Sequence, residues 1–129
     1  MAHWSDAFIG LPYIAGEQDC AELVARVQRE VFGRTVTVPS VRADGPFGRS
    51  AQIAAAARDL ADPVATPRDG DAVLMRVQGL WHVGVYFVQG EPWVLHALLN
   101  AGMVVAHRQR DLPAYGIKVE GFYRMRCDE

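Results

Sequence analysis

Cys20, His82 and His96 are the residues of this 129-residue chain whose types and settings could do chemistry together. Cys20 lies in the run Asp19-Cys20-Ala21-Glu22, which reads as the first turn of a helix. Asp19 is a good N-cap, and Glu22 three residues later completes a capping-box pattern. Leu23, Val24, Val27 and Val31 recur at helical spacing, and Gly33 is placed to end the helix. Cys20 therefore takes the first helical position, where unpaired backbone N–H groups and the positive end of the helix dipole favour a thiolate. The Asp19 carboxylate works against this, so a base is still needed. A cysteine at a helix N-terminus with histidines far downstream is the arrangement of a thiol nucleophile, as in thiol hydrolases.

His82 begins one β-like run and His96 sits inside the next, so their meeting depends on hairpin register. A three-residue loop centred on Gln89 puts them directly opposite. Centring it on Gly90 makes them diagonal neighbours, roughly 7–8 Å apart between backbones and within side-chain reach. A four-residue loop from Gln89 to Pro92 puts them on opposite faces. Glycine in the loop fits the three-residue form. On a shared face, with the Cys20 helix packed against it, one histidine would take the thiol proton and the other would orient it. Spacing alone does not choose which. Taken singly, a buried cysteine is most often a small hydrophobe and a strand histidine a structural residue; the joint placement raises the odds. His3 and His107 lack such context and read as surface residues. A zinc site from Cys20, His82, His96 and His107 is conceivable, but the close ligand pairing typical of zinc is absent.

The elements that must position these groups are short. Trp4 to Ile14 reads as a short helix and a turn, and Ala15 to Gln18 as the loop into the Cys20 helix. Thr35 to Val38 is β-branched but closed by Pro39, and a loop with Gly45, Pro46 and Gly48 follows. Ser50 can cap a second helix, Ala51 to Ala61, stopped by Asp62-Pro63. The second half changes to β-rich runs at Ala72–Val77, His82–Val88, Trp93–Leu98, Met103–His107 and Ile117–Tyr123, separated by glycine and proline turns. Helices first and strands afterwards predict an α+β domain, N-terminal helices on a C-terminal antiparallel sheet of about five strands.

One domain spanning residues 1–129 is the expected organisation, large enough to bury a core without metal or disulfide staples. Half the residues are hydrophobic, 22% are charged and the formal net charge is −2, which gives no reason to expect nucleic acid. No run approaches a membrane span, and the first residues lack the pattern of a signal peptide. Synthesis in the cytoplasm is the expectation. A disulfide between Cys20 and Cys127 is not expected, and Cys127 reads as a bystander.

Several of these residues together resemble a known family. Pro12-Tyr13-Ile14-Ala15-Gly16, then Asp19-Cys20 with Leu23-Val24, resembles the nucleophile region of the NlpC-type cysteine peptidases. Those are papain-like bacterial and phage enzymes that cut peptidoglycan stem peptides. Gly70-Asp71-Ala72-Val73-Leu74, His82-Val83-Gly84-Val85-Tyr86, Leu95-His96-Ala97 and Gly121-Phe122-Tyr123-Arg124 follow in the family's order. The resemblance runs from about Trp4 to Arg126, and its last two elements look most like the branch of phages, prophages and gene transfer agents. It implies a papain-like α+β core with Cys20 as nucleophile, His82 as base and His96 as the orienting residue. Tyr13 matches a tyrosine that lines the site and helps with the oxyanion, beside the backbone N–H of Cys20. No metal or cofactor is implied. The implied substrate is the γ-D-glutamyl–diamino acid bond, and the implied partners are tail or tail-like particle proteins that carry the enzyme to the wall. Ala21 and Glu22 depart from the family's usual residues, which puts substrate identity in question. Two alternatives accompany this reading: a tail-tip assembly subunit with weak or lost activity, and a secreted peptidoglycan amidase toxin of the same fold.

Overall fold

The computed structural model describes residues 3–15, 17–37 and 45–127. Gly16 of the tyrosine run and the Val38-Pro39 end of the β-branched stretch lie outside the described residues. A 3-10 turn over Trp4–Ala7 leads to helix α1 (Cys20–Phe32) and helix α2 (Gly45–Leu60). Six strands follow: β1 (Ala61–Val64), β2 (Ala72–Val77), β3 (Leu80–Gln89), β4 (Glu91–Leu98), β5 (Met103–Arg108) and β6 (Ile117–Met125). A second 3-10 helix, Gln109–Tyr115, precedes β6. The strands form one antiparallel sheet in the order β1-β6-β2-β3-β4-β5. The α+β class is as expected, but the sheet has six strands rather than about five. The extra strand is β1, where Asp62-Pro63 was read only as a helix stop. β1 pairs with β6 alone and so lies at the sheet edge, where a proline's missing N–H costs no interior ladder bond.

α1 starts and stops where its sequence says. Asp19 is the N-cap, its carboxylate accepting the Glu22 N–H at 3.0 Å, and Gly33 ends the helix at φ 65°. Leu23, Val24 and Val27 on α1 are buried with Val85, Phe87, Leu95 and Ala97 of the sheet. Fully burying each of the larger apolar side chains stabilises the fold by about 1.5–3 kcal/mol. The opposite face buries Val73, Met75, Tyr86 and Val94 with Leu112 from the second 3-10 helix. α2 begins at Gly45, six residues before the expected Ala51. Ser50 is thus not its cap; inside the helix, its hydroxyl accepts the Trp81 N–H of β3 at 2.8 Å. No helix among the described residues is long and apolar enough to cross a membrane.

Candidate active site

Strand register decides where the histidines fall. β3 and β4 pair Val85 with Leu95 and Gln89 with Glu91, so the turn is centred on Gly90. This is the second of the three registers, and it makes His82 and His96 diagonal neighbours. His82 Nε2 and His96 Nδ1 are hydrogen-bonded at 2.9 Å, with ring centroids 5.2 Å apart. Between them stands Gly84. A Cβ there would lie 2.8 Å from the Leu95 carbonyl oxygen and 3.0 Å from His96 Cβ. The glycine of His82-Val83-Gly84 is therefore what lets β4 approach closely enough for the two rings to bond.

The contact does not end at His96. Its Nε2 meets His107 Nδ1 on β5, again at 2.9 Å. β4 and β5 pair His96 with Val105, so alternation puts His107 on the same face, one diagonal step away. His107 is half-buried, its ring stacked on Tyr115 at 4.3 Å. The reading of His107 as a surface residue is corrected here. No pattern within β5 marked it; the pairing of His96 with Val105 is what brings it to His96. His3 is corrected too: its ring caps the first 3-10 turn, accepting the Ser5 N–H, and stacks on Phe87 at 4.8 Å.

Cys20 and His82 line one cleft, together with Tyr13, Trp81, Leu98 and Asn100. His82 and His96 stand at even spacing from Tyr86 and Val94 on their strands and so share that face, whereas α1 packs on the face of Val85 and Leu95. By strand parity the imidazoles lie on the face opposite the one that α1 packs on, so a shared sheet face is not what brings thiol and imidazole together. Thiol and imidazole instead line a cleft at the end of the β3–β4 hairpin, where regular pairing stops at Val85 and Leu95. Both side chains are buried, Cys20 at 8% and His82 at 9% exposure. Because Nε2 of His82 is spent on His96, Nδ1 is the nitrogen left for a proton from the cleft.

Burial sets the charge of the chain. His82 is lowered to about 4 by loss of water. Burial lowers His96 further still, to about 2, and the fields of His82 and His107 add to this. His107 is lowered by burial as well, with the Asp111 carboxylate acting against it. The inner imidazoles are therefore neutral at pH 7. The zinc alternative does not fit this geometry, since His96 has both ring nitrogens bonded to its neighbours and no metal-binding group of three such side chains forms among the described residues.

The surroundings hold these groups in place. Trp81 lies under the Arg76 guanidinium at 4.1 Å. Asp71, nearly fully buried, accepts two bonds from Arg124 at 2.9 and 2.8 Å and one from the Arg68 N–H. Gly70-Asp71 and the Arg124 end of β6 are thus one structural joint, away from the cleft. Ala21 lines the cleft, but Glu22 faces a neighbouring groove with Glu17, Arg26 and Arg29. Among the described residues, the charged side chains lining the cleft are Asp19 and Arg49. Neither cysteine is in a disulfide, and Cys127 sits at the surface, its sulfur 2.8 Å from Arg34 Nε. Among known proteins, no family model and no curated sequence matches the chain.

Proposed function

We propose that this protein is a papain-like cysteine peptidase of the NlpC type that hydrolyses peptidoglycan stem peptides. The observation that carries the reading is a thiol at the first position of a helix, lining one cleft with an imidazole whose far nitrogen is fixed by a second imidazole. His82 takes the proton of Cys20 at Nδ1, and the thiolate attacks the γ-glutamyl carbonyl. The developing oxyanion is stabilised by the positive end of α1 and by Tyr13 at the cleft wall. The tetrahedral intermediate collapses as His82 returns the proton to the leaving amine of the diamino acid. Water, deprotonated by His82, then releases the γ-glutamyl product from the thioester. His96 keeps His82 in the tautomer with Nδ1 open.

Among the described residues Arg49 is the cationic side chain of an otherwise largely apolar cleft, and an acidic stem peptide complements it. Tail or tail-like particle proteins are the proposed carriers to the wall. The reading is tested by acid-quenching the enzyme during turnover of a stem peptide and weighing the intact protein. A γ-glutamyl adduct on Cys20, absent in Cys20→Ala, is expected; hydrolysis by folded Cys20→Ala would refute the assignment.

A further inference from the structure

The thiol's proton has no favourable resting place on His82, because charge on that buried ring is strongly disfavoured. The three-imidazole chain offers another place. Each neutral imidazole carries one N–H, and two hydrogen bonds in series tie the three tautomers together. With Nδ1 of His82 open, His82 donates from Nε2 to His96 Nδ1, and His96 donates from Nε2 to His107 Nδ1.

We propose that His107 is the outer end of a proton relay that lets Cys20 ionise while its buried base stays uncharged. This rests on the reading of Cys20 as nucleophile and His82 as base. As the S–H bond of Cys20 breaks, an N–H bond forms at His82 Nδ1. The Nε2 proton of His82 passes to His96 Nδ1, and the Nε2 proton of His96 passes to His107 Nδ1. Sulfur gains one negative charge, His107 gains one positive charge, and the two inner rings end neutral with reversed tautomers. His82 now holds its proton on Nδ1, where the leaving amine needs it. Transfer of that proton to the amine draws the chain back, each ring recovering its Nε2 proton from its outer neighbour.

The setting of His107 suits a charge that the inner rings refuse. Burial lowers His107 too, but it is half-buried where the inner rings are buried. From the second 3-10 helix it faces the Asp111 carboxylate and stacks on Tyr115, and an aromatic face favours a cation. From β4 it meets the neutral His96. Arg108, next on its own strand, is neutralised by Asp111 at 2.8 Å. Transfer between like rings also needs little intrinsic driving force, so burial and Asp111 decide where the charge rests. His107 is a positioning residue: it acts on Cys20 only through His96 and His82.

The test needs no peptidoglycan, so it separates the relay from the choice of substrate. Alkylation of Cys20 by iodoacetamide is followed against pH, with peptide mapping to distinguish it from Cys127. Wild type should show a midpoint well below the ordinary thiol value of about 8.5. His107→Gln keeps an acceptor for His96 but cannot hold the proton; its melting temperature should stay near wild type. Its alkylation midpoint should rise by about one unit or more, a roughly tenfold loss of rate at pH values below the wild-type midpoint. An unchanged midpoint overturns the relay. A wild-type midpoint at the ordinary value removes the nucleophile on which it rests. Nitrogen-15 spectra of the histidines give the second reading. At pH 7 His107 should be the charged ring in wild type and neutral in Cys20→Ala; charge on His82, or a His107 neutral in both, overturns it.

Discussion

His96 has both ring nitrogens engaged and no exposure to water, so its replacement reads directly on the tautomer of its neighbour. Without an acceptor for its Nε2–H, His82 is free to place its proton on Nδ1, where it cannot act as a base. His96→Ala should therefore lower kcat by about 10²–10⁴-fold with little change in KM, the range of a lost acid–base function. His96→Asn, whose amide oxygen can accept the same bond, should keep more activity. Equal loss in both variants, measured by steady-state kinetics, would contradict a tautomer-setting role. Cys20 and the two inner histidines drew notice as candidates because each sits in a recognisable local frame: Asp19 and Glu22 around Cys20, glycine and β-branched residues around His82 and His96. His107 was not, because nothing within β5 marks it; only the pairing of His96 with Val105 brings it into the chain.

At the scale of elements, the site depends on close approach between β3 and β4 and on the tie from α2 to β3. Gly84→Ala would force a Cβ to within 2.8 Å of a backbone oxygen, which the strands can relieve only by separating. An overpacking cost of about 1–3 kcal/mol is expected, with loss of the His82–His96 bond and of activity. Unchanged stability by denaturant unfolding would mean that the hairpin tolerates the added carbon. Ser50→Ala removes the acceptor for the Trp81 N–H beside His82, which should cost about 1–3 kcal/mol; a melting temperature equal to wild type would contradict it. α1 and the middle strands were readable from pattern because propensity, capping and burial agree there. β1 and the start of α2 were not. Asp62-Pro63 reads as a stop until β6 is known to leave an edge open to it, and Gly45, Pro46 and Gly48 carry loop propensity that the helix overrides.

For the whole molecule, two neutral buried histidines make stability depend on pH. In the unfolded chain each has a pKa near 6.5, whereas in the fold His82 is lowered to about 4 and His96 further. Below about pH 6.5 the unfolded state binds more protons, so stability falls as pH falls, by about 1.4 kcal/mol per unit for each histidine. For His82 the loss ends near pH 4; for His96 it continues. Between pH 6.5 and 4.5 the pair removes about 5 kcal/mol, comparable with the whole stability of many domains. The melting temperature should drop steeply over that interval, and a flat profile would show that these rings accept protons in the fold. The activity itself is tested most directly on the wall polymer. Purified diaminopimelate-type peptidoglycan is digested with wild type and with Cys20→Ala, and the products are identified by mass spectrometry. New termini at the D-glutamyl–diaminopimelate bond, present with wild type and lost in the variant, are the predicted result. No release by well-folded wild type would contradict it and shift the protein's role toward assembly.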